Sequence, residues 1–531
     1  MKRIDTVGHK AFLGFIIEAS IIWFLLISTR FYLIDGSNDT DILPFARQLI
    51  QPSWLPNDWY LNLNQSNRFL FSIVFGGLIS WLGFESSSLV LRFIVLFILS
   101  LSINFLYKEI QITFPLRIIS IFLFLQTQFL VAGEWFVGGP EAKVIAYALL
   151  FISLALFLKG KYLLAFASSG LAISFHVLVG IFSIVSTLIA LIVAKRIDRP
   201  SLIQGAKWLG AFLIFGSPGV ATIVQTIIAF PKHKSSLAWQ VYVVYRNPHH
   251  LLPSSWKENW ETWLVLAIIF FILNFILGRC SEIRFLSTFS LGSICIFLFG
   301  LILWRFGQID LLRFYWFRLA DSMIPFMIFT LLAISATTMV KFQKSKSVSI
   351  GKKLIGTSSF ILSSVFSIAI LLFSLNQILI VMDQPQGHQD AMRILTRRQI
   401  GDAQPIMHWI SENTSREAIF LVDPTLMSFY LVAERSMFVS FKHVPTSPVD
   451  ILEWYDRIQL INNSENPKKT GFDSLPELQK NFEHLSRDEL ITLTNEYFLD
   501  YYLSRTRPEL ALDEVQSIDG YTLYSLSDVD P

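Results

Sequence analysis

A succession of long apolar runs occupies the chain up to about residue 381, and this constrains the fold more than any other feature. The runs fall at about 11–33, 88–107, 115–133, 143–158, 162–178, 179–194, 206–230, 262–278, 285–303, 321–340 and 354–381. A helix needs about 20 apolar residues to cross a bilayer, and each run meets or approaches that length. A further run, 68–84, is shorter and polar at both ends, and reads as a re-entrant or interfacial helix. Hydrophobic residues make up 53% of the 531 positions and charged residues 16%, against about 25% charged in a typical soluble domain. A disordered chain, a coiled coil and an ordinary soluble enzyme are excluded.

Charge placement sets the expected orientation. With the N-terminus inside, short inner connections collect the cations, including Lys195, Arg196, Arg199 and Lys207, and later Lys341, Lys344, Lys346, Lys352 and Lys353. Cytoplasmic loops carry such an excess. The expectation is a mainly α, polytopic bundle of about eleven spans, N-in and C-out. Met1–Lys10 is basic and runs into an apolar stretch with no evident small-residue cleavage site, so it reads as a signal anchor. Residues 1–381 form the expected membrane domain.

After residue 382 polar residues become frequent, and 382–531 reads as an extracytoplasmic α/β domain. Its expected helices are Pro405–Asn413, Val449–Ile461 and Ser486–Glu496, the last opening with a Ser-x-x-Glu capping box. Its expected strands are Ala418–Val422, Ser436–Phe441, Tyr501–Ser504 and Tyr521–Leu526, with a polar linker at 462–476. A net charge of +3, from 43 Lys and Arg against 40 Asp and Glu, gives no reason to expect a nucleic-acid partner. Two cysteines, Cys280 and Cys295, give no disulfide framework and no metal cluster.

The outer segments 34–67, 133–143, 229–261 and 304–320 are rich in polar and aromatic residues, so chemistry is expected there. The first holds Asp39 and Asp41, an Asp-x-Asp pair. Such carboxylates bind a divalent cation such as Mg or Mn, or one of them acts as a general base. The plainer alternative is a helix cap before Leu43–Leu49. Trp54, Trp59 and Tyr60 are expected at the membrane interface. The second segment gathers Glu134, Glu141 and Lys143, either a functional cluster or an internal Glu–Lys pair closing the loop. His176 stands at an expected outer turn, as a site residue or a packed histidine. Arg246, His249 and His250 suit a phosphate or a metal, the arginine's planar fork favouring phosphate, and Arg305, Arg313 and Arg318 among aromatics suit a lipid phosphate head group. Loop stabilisation and interfacial anchoring explain the same residues without a ligand.

At these residues the chain resembles the GT-C superfamily of integral membrane glycosyltransferases. Through the stretch from Leu43-Pro44-Phe45-Ala46-Arg47-Gln48 to Pro52-Ser53-Trp54-Leu55-Pro56-Asn57-Asp58-Trp59, through Glu141-Ala142-Lys143, Phe175-His176, Asn247-Pro248-His249-His250 and Ala418-Ile419-Phe420-Leu421-Val422, it resembles more closely a group of bacterial multi-pass proteins described as DUF6798. The GT-C resemblance implies a polyprenyl-phosphate sugar donor, an extracytoplasmic acceptor (glycan, lipid or protein) and inversion at the anomeric carbon. It implies Asp39 or Asp41 as base or metal ligand, Glu134 or Glu141 as a second acidic site, and a place in the plasma (inner) membrane of a cell envelope. Lys143, His176, Arg246, His249, His250, Arg313 and Arg318 would then meet the donor phosphate. Where two branches of that superfamily carry Asp-Glu before the alanine corresponding to Ala46, this chain carries Asn38-Asp39. A transporter or flippase, or a non-catalytic scaffold with an outer binding domain, remains the alternative. Few charges interrupt the apolar runs, Arg92 being the main one.

Overall fold

The structure is a computed structural model. It describes residues 2–29, 38–63, 68–128, 130–195, 201–228, 232–256, 260–277, 281–345, isolated positions between 364 and 375, and 403–526.

Helices occupy each apolar run up to 321–340. They are α1 (Lys2–Ser28), α2 (Asp39–Ile50), α3 (Phe69–Leu82), α4 (Phe84–Glu109), α5 (Phe114–Leu125), α6 (Ala142–Leu158), α7 (Tyr162–Phe175), α8 (Val177–Val193), α9 (Leu202–Ile228), α10 (Lys232–Gln240), α11 (Pro248–Leu251), α12 (Trp260–Leu277), α13 (Ser281–Arg305), α14 (Ile309–Leu312) and α15 (Arg318–Ser345). The run 354–381 lies outside the described residues except for isolated helical positions. By length and composition, five of the described helices are able to cross a membrane: α1, α4, α9, α13 and α15. Six shorter apolar helices accompany them: α3, α5, α6, α7, α8 and α12.

The chain divides into two compact units. The first comprises Met1–Phe31, Arg92–Val224 and His249–Gln384. Within it α6 packs on α7, α8 on α13, and α5, α12 and α13 on α15. Helices approach closely where side chains are small. A Cβ on Gly170 of α7 would stand 2.3 Å from the Phe212 carbonyl oxygen of α9, so that crossing requires glycine. The Tyr107 hydroxyl bridges Ser120 and Thr330 at 3.0 and 3.1 Å, which ties α4, α5 and α15 through satisfied polar atoms.

The second unit comprises Tyr32–Leu91, Gln225–Pro248 and Pro385–Pro531. It is built on a five-stranded sheet, order β2-β1-β3-β5-β4, from β1 (Ile419–Val422), β2 (Ser436–Met437), β3 (Tyr501–Arg505), β4 (Glu514–Ile518) and β5 (Tyr521–Ser525). The β2-β1-β3 part is parallel and the β3-β5-β4 part antiparallel. One apolar core joins Leu43, Phe45, Trp54, Leu55, Tyr60 and Phe84 to Phe420, Val422, Leu503 and Leu523. A second joins Ala238, Trp239 and Tyr245 to Trp454, Ile458, Leu478 and Tyr502.

Several local expectations change. Trp54 and Tyr60 are buried in the core of the second unit rather than at a membrane interface. The Trp54 ring carries the Arg47 guanidinium at 4.4 Å and lies tilted against Phe84. The run 115–133 is helical only to Leu125, and near its end the N–H groups of Val131 and Ala132 are taken by the Asp321 carboxylate. The strand expected at Ser436–Phe441 ends at Met437. The polar linker contains a 3-10 turn, Gly471–Ser474, and ends in the first turn of a helix, Leu475–Phe482. The capping box at Ser486 and Glu489 is present, with both reciprocal bonds.

Candidate active site

The acidic pair opens α2. Asn38 precedes the helix without a side-chain cap bond, so the plain capping role does not describe it. Its Oδ1 accepts instead from Lys442 Nζ at 3.0 Å. Asp39 is fully buried and accepts from the Ser88 hydroxyl. Asp41 accepts from the Tyr60 hydroxyl at 2.7 Å and from the Arg68 guanidinium, which remains 30% exposed. Burial pushes the Asp41 carboxyl up, but the Arg68 charge and the bonds from Arg68 and Tyr60 outweigh it. The carboxyl is held below its ordinary value and stays ionised.

His443 stands beside this pair, its ring 5.3 Å from Tyr60 and 5.1 Å from Tyr430. The ring lies against the Thr40 backbone. Pro44 explains the position. It offers no N–H to the carbonyl four residues earlier, so a side chain approaches where a helical donor would stand. Burial lowers the His443 imidazole to about 4 despite the nearby Asp41 charge, and the ring is neutral at pH 7. Asp58 completes the surroundings, accepting from the Leu61 N–H at 2.7 Å and the Met437 N–H at 3.1 Å. Burial raises its carboxyl to about 6.

A second ionic cluster lies within the first unit, and it gathers most of the other expected residues. Arg318 Nε donates to Glu134 at 2.8 Å, and Arg318 also contacts His176 Nε2 at 3.1 Å. Lys143 Nζ is 3.4 Å from Glu141 and 4.0 Å from Glu134, and sits 3.6 Å from the centre of the Trp135 ring. Glu134, Glu141 and Lys143 are all buried. The loop carrying them is fastened from beneath. The Asp321 carboxylate accepts from the N–H groups of Val131, Ala132 and Glu134 at 3.1 to 3.2 Å. Gln128 Oε1 accepts from Phe136 and Val137. Gly133 turns the chain at φ +63, in the left-handed region, with the His250 ring 3.4 Å from where a Cβ would stand.

Of the remaining expected residues, His250, Arg313 and Arg246 take backbone partners. His250 Nδ1 is 2.6 Å from the Ala132 carbonyl, and His249 lies against His250 with ring centres 4.1 Å apart. Arg313 donates to the Asp310 carbonyl at 2.7 Å and covers Phe314. Arg246, in the second unit, donates to the carbonyls of Phe441 and Lys442 at 2.8 and 3.3 Å.

Sequence reasoning passed over Arg68, Lys442, His443 and Asp321. A usable signal existed for two of them. Lys442 and His443 follow the expected strand Ser436–Phe441, and ligands of open α/β sheets collect at the carboxyl ends of strands.

Among the described residues, no group of three His, Cys, Asp or Glu side chains is arranged to hold a metal. Asp41 has both carboxylate oxygens in bonds with Tyr60 and Arg68, so the pair as built does not fit a divalent cation.

Residues 401–461 match a family described as a domain of unknown function, DUF6798. No curated protein matches the sequence. Similar solved structures include ArnT from Cupriavidus metallidurans bound to undecaprenyl phosphate, 12% identical over 98% of this chain and 99% of that one, TM-score 0.46. The oligosaccharyltransferase AglB from Archaeoglobus fulgidus, in complex with an inhibitory peptide and a dolichol-phosphate, is 12% identical over 97% of this chain and 75% of that one, TM-score 0.47. An Archaeoglobus fulgidus oligosaccharyltransferase complex with Zn and sulfate is 13% identical over 92% and 67%, TM-score 0.42. Likenesses at this level assign no residue and no activity.

Proposed function

We propose that this chain is an integral membrane glycosyltransferase that moves a sugar from a polyprenyl-phosphate donor to an extracytoplasmic acceptor with inversion. The observation that carries the reading is the cluster at the start of α2, where buried Asp39 and Asp41 stand with Arg68 and Lys442. Carboxylates beside fixed cations suit a reaction that deprotonates a hydroxyl while a phosphate departs.

In the proposed step the acceptor hydroxyl oxygen attacks the anomeric carbon. Its proton passes to Asp39, the bond from that carbon to the phosphate oxygen breaks, and the polyprenyl phosphate leaves as an anion. Asp41, kept ionised by Arg68, stays a fixed negative charge facing the positive charge that develops on the sugar. The reaction needs no redox partner, and its proton transfers run through protein groups. Lys143, His176 and Arg318 supply donors to a second anionic group, with Glu134 and Glu141 holding them in place. His250 braces the Ala132 carbonyl of the loop that carries Glu134, with His249 against it, Arg313 holds its own turn at Asp310, and Arg246, in the second unit, holds the Phe441 and Lys442 carbonyls. The cation-rich connections support a topology with the N-terminus inside and residues 382–531 outside the plasma membrane.

The lipid-phosphate claim is tested by binding to the purified, folded chain in detergent. Undecaprenyl phosphate is expected to bind saturably, and undecaprenol, which has the same tail without the phosphate, is expected not to. Equal binding of the two, or binding of neither, contradicts the reading.

A further inference from the structure

Beyond Met437 the chain leaves regular strand pairing, yet much of the polar backbone of the next segment is fastened. The Phe438 N–H donates to the Phe420 carbonyl at 2.9 Å, and the Phe441 N–H to the Pro424 carbonyl at 3.0 Å. Its carbonyls are held by side chains. Arg457 donates to Phe438 at 2.9 Å, Trp454 Nε1 to Ser440 at 2.9 Å, and Arg246 to Phe441 and Lys442. Arg246 is buried, with its guanidinium 4.6 Å from the centre of the Phe441 ring. His443 is locked on the other side of Lys442 between the rings of Tyr60 and Tyr430.

The outcome of this fastening is the position of one ammonium group. Lys442 stands in the irregular segment beyond β2, and its Nζ reaches Asn38 at 3.0 Å, next to Asp39 in sequence. A lysine on a loose loop loses much side-chain and backbone freedom on binding an anion. One whose backbone is clamped on both sides has lost part of it already. Asn38 adds to this. An amide oxygen orients the ammonium without contributing a charge of its own, whereas a carboxylate there would compete directly with an arriving anion.

We propose that Lys442, supplied by the C-terminal α/β module, is a phosphate-binding residue of the α2 site, and that Arg246 is its positioning residue. The inference rests on the reading of that site given above and deepens it. The ligand chemistry is a phosphate ester anion, as a lipid head group or as a free phosphate.

The test measures binding of undecaprenyl phosphate and, separately, of inorganic phosphate to the full chain in detergent, with folding of each variant followed by thermal unfolding. Lys442→Gln is expected to weaken binding about tenfold or more, the loss of one charge-assisted hydrogen bond. Lys442→Arg is expected to stay within about threefold, since the cation remains. Asn38→Asp, which leaves Lys442 in place, is expected to weaken binding by placing a competing charge beside the ammonium. Arg246→Met is expected to weaken it as well, and the Arg246→Met, Lys442→Gln pair to bind no worse than Lys442→Gln alone. Additive losses would make Arg246 merely structural and overturn its positioning role. Lys442-dependent binding of the lipid alone identifies a head-group site, and of both probes a site for any phosphate. Wild-type binding of undecaprenyl phosphate with no loss in folded Lys442→Gln or Asn38→Asp overturns this inference alone. Failure of the wild type to bind either probe overturns the underlying reading with it.

Discussion

Asp58 and His443 are buried titratable groups of the same unit with opposite consequences for stability. Asp58 is raised to about 6, so the folded chain keeps a proton that the unfolded carboxyl loses near its ordinary value. Its contribution is full at low pH and is lost as pH rises through about 6. His443 is lowered to about 4, so the unfolded chain takes up a proton, from about pH 6.5 downward, that the folded chain refuses. Its contribution is present at neutral pH and is lost as pH falls. Between pH 4 and 6 the two slopes oppose each other. Relative to wild type, Asp58→Asn is expected to make stability rise more steeply with pH across this window, and His443→Phe to make it rise less. Each change is at most about 1.4 kcal/mol per pH unit. Unfolding midpoints at several pH values check this, and identical slopes in the three proteins would contradict it.

At the scale of the element, the loop between α5 and α6 owes its shape to Asp321 rather than to its own sequence. Asp321→Ala leaves three buried N–H donors without their carboxylate, at a cost of about 3 kcal/mol or more. Ser486→Ala removes only a helix cap in the second unit, at about 1 kcal/mol. Thermal unfolding in detergent should rank the two in that order, and the reverse order would contradict the role given to Asp321. These elements differ in how legible they were. The capping box is a local signal of four residues, and it was readable. Apolar runs of helical length were equally readable, because the period and length of a segment survive in the sequence. The Asp321 clamp joins residues nearly two hundred positions apart, with no local signature. The short β2 was overread, since its residues continue as an extended but irregular segment held by Trp454, Arg457 and Arg246. The helix Leu475–Phe482 was hidden by the polar character of its stretch.

For the whole molecule, composition and hydropathy exposed the many-helix architecture and the change of character after the last apolar run. They did not expose that 38–63 and 232–246 share cores with the C-terminal sheet. Those contacts span roughly four hundred and two hundred positions of sequence, and each side alone reads as an amphipathic or aromatic loop. The two candidate clusters, one in each unit, divide in the same way. Asp39 and Asp41 were legible as a motif, and Glu134, Glu141, Lys143, His176 and Arg318 as charges beside apolar runs, where such residues stand out. Arg68 and Lys442 were not, because a single cation in a polar segment is ordinary until the fold brings it to a carboxylate.

The central claim is that a carboxylate at the start of α2 activates an acceptor against a lipid-phosphate sugar. The most direct measurement incubates the purified chain, in lipid vesicles with a crude envelope acceptor fraction, with a panel of undecaprenyl-phosphate-linked sugars and follows release of undecaprenyl phosphate. The account predicts release with at least one sugar by the wild type, falling by a factor of about 100 or more in folded Asp39→Asn. No release from any donor, or equal release by the two proteins, would contradict it.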